Sequence, residues 1–478
     1  MKSIIKPLLL GLFALSLFSC SQSTKPVENE AKTEVRPVGD KPNIVIVFAD
    51  DLGYGDLSTY GHPTIITPNL DRMAYEGQKW TNFYVGASVC TPSRAALMTG
   101  RYPVRSGMCG VKQRVLFPNS TGGLPSDEVT IAEQMKKAGY TTAAVGKWHL
   151  GHKKEFLPPN HGFDSYYGIP YSNDMSRKHA EGLSRKEIFW NPQNKYFDVP
   201  IIKDLEEVER PADQHTLTKR YNEAAVEFIN GNKDKPFFLY LAHNLPHVPL
   251  YAATEALGKS KRGLFGDVVQ EIDYGVGMII KALEDNGLDK NTLVVFTSDN
   301  GPWLSYFDHG GSAGLLHDGK GTTWEGGMRV PGIFWWPGKI KQGIVDHMGS
   351  TMDLLPTASK LANVGIPDDR TIDGVDLTPV LFGSGASNRD NLIYYRNQTV
   401  YAARKGAYKL HFTTQTAYVK DTKKTQHEQP LLFNVEVDPS EKYNIAGENP
   451  EIVADIIAMV DAHKANVKPV KDQLDERL

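Results

Sequence analysis

Asp50-Asp51, Cys90, Lys147-Trp148-His149, His243 with His247, and Asp299-Asn300 are the side chains of this sequence best suited to chemistry. Asp50, Asp51, Asp299 and Asn300 offer hard oxygens and no thiolate, a set that favours calcium or magnesium over zinc. Two adjacent carboxylates would be desolvated together unless a cation neutralised them. Cys90 opens the run Cys90-Thr91-Pro92-Ser93-Arg94, continued by Ala95-Ala96-Leu97-Met98-Thr99-Gly100-Arg101. Pro92 suits the first turn of a helix, and Ala-Ala-Leu-Met prolongs it. Cys90 would then stand at the positive end of that helix, where a thiol becomes acidic and reactive. On this reading Cys90 is a nucleophile. A disulfide with Cys109 is the competing reading.

The elements that must position these groups share one pattern, an apolar run ending in a polar residue. Asn43–Ala49 is a β-branched run suited to a buried parallel strand, and it ends in Asp50-Asp51. Leu293–Ser298 ends in Asp299-Asn300-Gly301, Tyr140–Val145 leads to Lys147 and His149, and Phe237–Leu241 leads to His243 and His247. Helical patterns lie between them. Thr130 to Glu133 has the form of a capping box and Gly139 follows it as a C-terminal cap. Asn69 to Glu76 reads as a short helix, and Asp267 to Leu283 carries apolar residues at helical spacing. Strand–helix alternation implies a mostly parallel sheet covered on both faces, with ligands beyond the carboxyl ends of the strands. One aspartate after a strand is ordinary turn chemistry. Four such ends from separated segments are harder to explain that way.

The chain has 478 residues and a formal charge of -3, so no general electrostatic drive toward nucleic acid exists. Its length allows a large α/β core with a smaller second domain. Lys2 and Lys6 precede an apolar run from Pro7 to Phe18 that is too short to span a bilayer, the pattern of a signal peptide over residues 1–19. Leu17-Phe18-Ser19-Cys20 resembles a bacterial lipoprotein box, which implies lipidation of Cys20, with plain secretion as the alternative. Residues 20–41 read as a polar tether. The expected location is therefore the periplasm or the cell surface, with membrane contact only through the lipid.

The run from Cys90 to Arg101 resembles the motif of the formylglycine-dependent (type I) sulfatases, in which the cysteine is oxidised by a maturation enzyme to an aldehyde residue. Further segments resemble the same family, on its arylsulfatase A-like branch, and in the same order: Pro42 to Gly53, Thr67 to Asp71, Gly146 to Gly151, Gly168 to Asp174, Ser298 to Gly301, Gly319 to Gly327 and Leu432 to Glu441. The resemblance implies an alkaline-phosphatase-like mostly parallel sheet flanked by helices, with a smaller C-terminal antiparallel sheet and helix. It implies sulfate monoester hydrolysis with one divalent ion, usually calcium, held by Asp50, Asp51, Asp299, Asn300 and the modified residue 90. Hydrated formylglycine would supply the attacking hydroxyl and a second hydroxyl to expel the sulfate. His149 would be the base for that expulsion, Arg94 and Lys147 would hold the reacting group, and His247 and Lys320 would contact the bridging oxygen. Ser172 matches a sulfate-side serine. Asp174, His243, Trp303, His309 and His317 are expected substrate contacts, with a packed structural role equally open for His243. Sulfated saccharides are the expected substrates, aryl sulfates a second class.

The catalytic domain is expected over residues 42–384 and a C-terminal subdomain over 385–478. There, Asn391–Tyr395, Val400–Arg404 and Tyr408–Phe412 read as strands and Val453–His463 as an amphipathic helix. Three rivals stand beside the sulfatase reading: a phosphate or phosphonate ester hydrolase of the same superfamily, a non-catalytic lipoprotein that binds sulfated glycans, and an enzyme working through an unconverted Cys90 thiol.

Overall fold

Ten strands form the main sheet: β1 (Asn43–Ala49), β2 (Gln78–Tyr84), β3 (Thr141–Gly146), β4 (Ser165–Gly168), β5 (Ile201–Lys203), β6 (Glu206–Glu209), β7 (Phe237–Ala242), β8 (Thr292–Ser298), β9 (Arg329–Trp335) and β10 (Gly343–Ser350). The computed structural model describes residues 41–419 and 422–477; the signal segment, Cys20 and the tether up to residue 40 lie outside the described residues. The spatial order is β10-β2-β9-β8-β1-β7-β3-β4-β5-β6. Strands β8, β1, β7, β3 and β4 run parallel, and β9 enters antiparallel between β8 and β2.

Strand β1 shows why the centre is parallel. All seven of its residues are buried. Ile44, Ile46 and Phe48 enter one core cluster, while Val45, Val47 and Ala49 enter the other. Alternate side chains therefore feed two apolar faces, each of which needs a helical cover. Helices Cys90–Thr99, Ile131–Lys137 and Leu354–Leu361 cover the first face. Helices Pro68–Glu76, Leu217–Gly231 and Leu264–Asp285 cover the second. The expected capping box forms at Thr130, whose side chain accepts from the Glu133 N–H while Glu133 accepts from the Thr130 N–H. Gly139 follows that helix at φ 86°.

A second sheet is antiparallel: β11 (Asn391–Arg396), β12 (Thr399–Lys405), β13 (Tyr408–Gln415) and β14 (Lys424–Asn434), in that order. Helix Pro450–Asn466 packs Ile456 and Val460 into the same core cluster as Leu392, Tyr394 and Leu410. No helix among the described residues is long and apolar enough to cross a membrane.

Candidate active site

The four strand ends singled out in the sequence belong to neighbouring strands, since β8, β1, β7 and β3 are consecutive across the sheet. Parallel alignment puts their carboxyl ends together. Hence Asp299-Asn300, Asp50-Asp51, His247 and Lys147 with His149 converge at one edge, as expected of a doubly covered sheet. Cys90 arrives from the neighbouring helix, whose first residue it is. Gly301 lets this edge close up. Its N–H donates to the Gly327 carbonyl at 3.1 Å, and a Cβ there would fall 1.7 Å from the Gly326 oxygen.

Asp50, Asp51 and Asp299 are buried, and one ligand atom from each lies within 4.8 Å of the others and of Cys90 Sγ. A second group, Asp51, Cys90 and His247, shares two of these residues and describes the same place. Asn300 donates Nδ2 to Asp51 Oδ1 at 2.7 Å, while its buried Oδ1 has no partner. Burial, then the Asp50 charge, raises the pKa of Asp299 to about 7, and burial also raises Asp51. Asp50 remains ionised: burial disfavours its charge, but the Lys147 and Arg94 cations outweigh it. Crowded buried carboxylates and an orphaned amide oxygen are what a hard divalent cation would neutralise and ligate. The donor set therefore fits calcium or magnesium.

Three cations surround Cys90. Arg94 donates Nε and Nη2 to Asp299 Oδ2 at 3.1 and 2.9 Å, and Nη1 to the Lys147 carbonyl at 3.0 Å. Lys147 donates to Asp50 Oδ2 at 2.5 Å and to Ser172 Oγ at 3.2 Å. Lys320 donates to Asp51 Oδ2 at 2.8 Å and lies 3.6 Å from Cys90 Sγ. The thiol is not acidic, contrary to expectation. Burial first, then the Asp299 and Asp50 carboxylates, push the Cys90 thiol well above the ordinary range. The disulfide does not form either: Cys90 and Cys109 are free and buried.

His149 adopts φ 59° and Asp51 φ 65°, the left-handed region that non-glycine residues seldom occupy. Both sit at the site, where such strain is commonly held by surrounding contacts. The Asp51 N–H donates to Asp299 Oδ1, and the His149 N–H to the Pro170 carbonyl. A carbonyl only accepts, so the 2.9 Å contact of His149 Nε2 with the Leu116 oxygen places the ring proton on Nε2. Nδ1 is then a bare acceptor, buried and without a partner. Burial, then Lys147, lowers the His149 pKa well below the usual value and keeps the ring neutral. In the same way His247 donates Nδ1–H to the Val248 carbonyl at 2.6 Å. Its Nε2 lies 3.4 Å from Ser172 Oγ and 3.7 Å from Asp51 Oδ2. Thr91 ties these parts together, donating to the His149 carbonyl and accepting from the Leu116 N–H.

The expected substrate contacts separate. Trp303 carries the Lys320 ammonium 4.3 Å above its ring and meets His247 edge-on at 5.3 Å. Asp174 keeps a buried Oδ1 without a partner, and burial raises its pKa while Lys320 lowers it. Both ring nitrogens of buried His243 lack partners, and desolvation lowers its pKa to about 4. His309 stacks on Trp190, and His317 on Trp324. A cavity of about 460 Å³ beside Lys320 takes Trp303 into its wall but neither of these two histidines. It also takes in Arg185, Phe307 and Tyr418, which no periodicity or motif marked in the sequence.

The family described as Sulfatase matches residues 42–364, and the C-terminal region of aryl-sulfatase matches residues 387–478. Arylsulfatase A of Bos taurus is 43% identical over 448 residues, covering 88% of this chain and 86% of that protein. N-acetylgalactosamine-6-sulfatase of Canis lupus familiaris is 39% identical, with 91% and 88% covered. The solved structure of Ps i-CgsB in complex with k-i-k-neocarrahexaose superposes with a TM-score of 0.76 at 32% identity, over 92% of this chain and 95% of that one. With these matches spanning both sheets, the chain belongs to the sulfatase family of sulfuric ester hydrolases, in its arylsulfatase A-like branch.

Proposed function

We propose that this chain hydrolyses sulfate monoesters of saccharides, and small aryl sulfates as well, with residue 90 as nucleophile after oxidation of Cys90 to formylglycine. The observation that carries the reading is the ring of Arg94, Lys147 and Lys320 around Cys90, set above three buried carboxylates. The similarity to arylsulfatase A and to an N-acetylgalactosamine-6-sulfatase supports it. Hydrated formylglycine supplies two hydroxyls on one carbon, one to attack sulfur and one whose deprotonation expels the sulfate. Asp50, Asp51, Asp299 and Asn300 would hold a calcium ion, which would supply Lewis acidity toward the nucleophile and the sulfate.

The chain's own residues do the rest. Lys147, with Ser172 beside it, and Lys320 face the sulfate oxygens from two sides, and Arg94 fixes Asp299 and the Lys147 backbone. When the bond from sulfur to the alcohol oxygen breaks, that oxygen needs a proton. Lys320 is the donor we assign, since the Nδ1 proton of His247 is engaged by Val248. Nδ1 of His149 accepts the proton released when the sulfate departs. The charged, apolar and small-residue order of the N-terminus supports export, and Cys20 a lipid anchor. Cys20→Ala is expected to move the protein from the membrane to the soluble fraction, and retention on the membrane would refute the anchor.

A panel of sulfated saccharides, an aryl sulfate and matched phosphate monoesters tests the activity. Sulfates are expected to turn over, and chelation to lower the rate about 100-fold or more, with calcium restoring it. Equal turnover of the phosphates would point instead to a phosphate ester hydrolase.

A further inference from the structure

The cavity beside Lys320 is lined by two cations, Lys320 and Arg185. Trp303 lies beneath Lys320, and its ring meets Tyr418 at 4.7 Å and Tyr306 at 4.8 Å. Tyr306, 4% exposed, carries the Arg185 guanidinium 4.1 Å from its ring centre. Lys320, Trp303, Tyr306 and Arg185 thus form a continuous chain of contacts, edge-on between the two rings, that links the two cations. Stacking on a ring orients a guanidinium without using its N–H groups. The remaining bonds of Arg185, from Nη2 to Ser305 O and Oγ, are 3.5 Å long, at the outer limit for a hydrogen bond. Some surface arginines, Arg72, Arg210 and Arg370, sit against carboxylates, whereas Arg177 and Arg477 lie over rings as Arg185 does. Among the described residues Arg185 has no carboxylate partner, and it lines the cavity, with a side-chain contact to the Tyr306 hydroxyl beside its Ser305 bonds. Asp318, in the same wall, accepts the Gly319 N–H through Oδ1, which leaves Oδ2 to take a hydroxyl.

We infer that Arg185 receives a second anionic group of the substrate, a further sulfate ester or a uronate carboxylate, while the sulfate to be cleaved lies at Lys320. The sugar ring between them packs against Trp303 and Tyr418, and the preferred substrate is a saccharide with at least two negative charges. This subsite rests on the sulfate-ester reading above.

The test compares kcat/KM of the wild type, Arg185→Gln and Arg185→Lys on an aryl sulfate, a singly sulfated saccharide, its disulfated form and a uronate-bearing form. Arg185→Gln is expected to lower the ratio of doubly to singly charged saccharide roughly ten-fold, through KM. That difference shrinks at high salt. Arg185→Lys restores only part of the ratio, because a point charge lacks the planar fork. A larger fall for the disulfated saccharide assigns the subsite to sulfate, a larger fall for the uronate to carboxylate. A wild type that cleaves aryl sulfate, with a ratio unchanged in Arg185→Gln or both substrates reduced equally, overturns the subsite alone. No turnover of any sulfate ester by the wild type overturns the enzymatic reading and the subsite with it.

Discussion

Cys90→Ala is expected to lower turnover of every sulfate ester by about 10⁴-fold or more, the scale seen when a nucleophile acting in concert with its neighbours is removed. Folding should survive. Cys90 is the first residue of its helix and makes one contact of 3.4 Å to Asp50 and one of 3.6 Å from Lys320. Alanine is the best helix former and removes only one sulfur from a polar surround. The loss is expected to be large because, in the proposed mechanism, Lys147, Lys320 and the carboxylates act on a group that must be present at position 90. Steady-state rates with unchanged circular dichroism check this. A residual rate within 100-fold of wild type would place the nucleophile elsewhere.

Lys409→Met should cost roughly 3–5 kcal/mol of stability, the range for breaking a buried ion pair from one side. Lys409 lies on β13, fully buried, 2.9 Å from Glu325 Oε1 and 3.0 Å from Glu441 Oε1. Glu325 precedes β9 of the main sheet and also accepts from Tyr84 Oη at 2.6 Å, while Arg404 of β12 donates to the same hydroxyl. Glu441 accepts the Glu325 N–H at 2.7 Å and contacts His411 Nε2 at 2.7 Å. Lys409 therefore bridges two buried carboxylates that tie the second sheet to the first. Burial opposes ionisation of Glu325, yet Lys409, Arg329 and Arg404 outweigh it and bring its pKa to about 2. A depressed folded pKa stabilises above the ordinary value of 4.5 and loses that stabilisation as pH falls toward 2. Urea melts at neutral pH measure the cost. Adding Glu325→Gln removes one of the stranded carboxylates, so the double variant should lose less than the sum of the single changes. A loss below about 1 kcal/mol for Lys409→Met would assign it no more than a surface pair contributes.

The strand ends were legible because β1, β7 and β8 are buried on both faces, which writes a continuous apolar run into the sequence with the chemistry directly after it. The neighbour relation of those strands followed from parallel topology. The insertion of β9 between β8 and β2 did not, because nothing in an apolar run states its direction. Strand β14 was not expected, since residues 424–430 are exposed or half-buried and carry no apolar run. Glu325 stands in a glycine-rich motif that suggested active-site work, whereas its carboxylate joins the two sheets, a partnership made by residues more than 80 positions away. Arg185 left no trace because stacking on a ring is set by tertiary placement and has no spacing in sequence.

Mass analysis of the peptide containing residue 90, taken from protein whose sulfatase turnover has been measured, tests the central claim most directly. Formylglycine predicts an aldehyde at that position, trapped by a hydrazine, with specific activity rising in proportion to the converted fraction. Full activity in protein that carries an intact Cys90 thiol would contradict it.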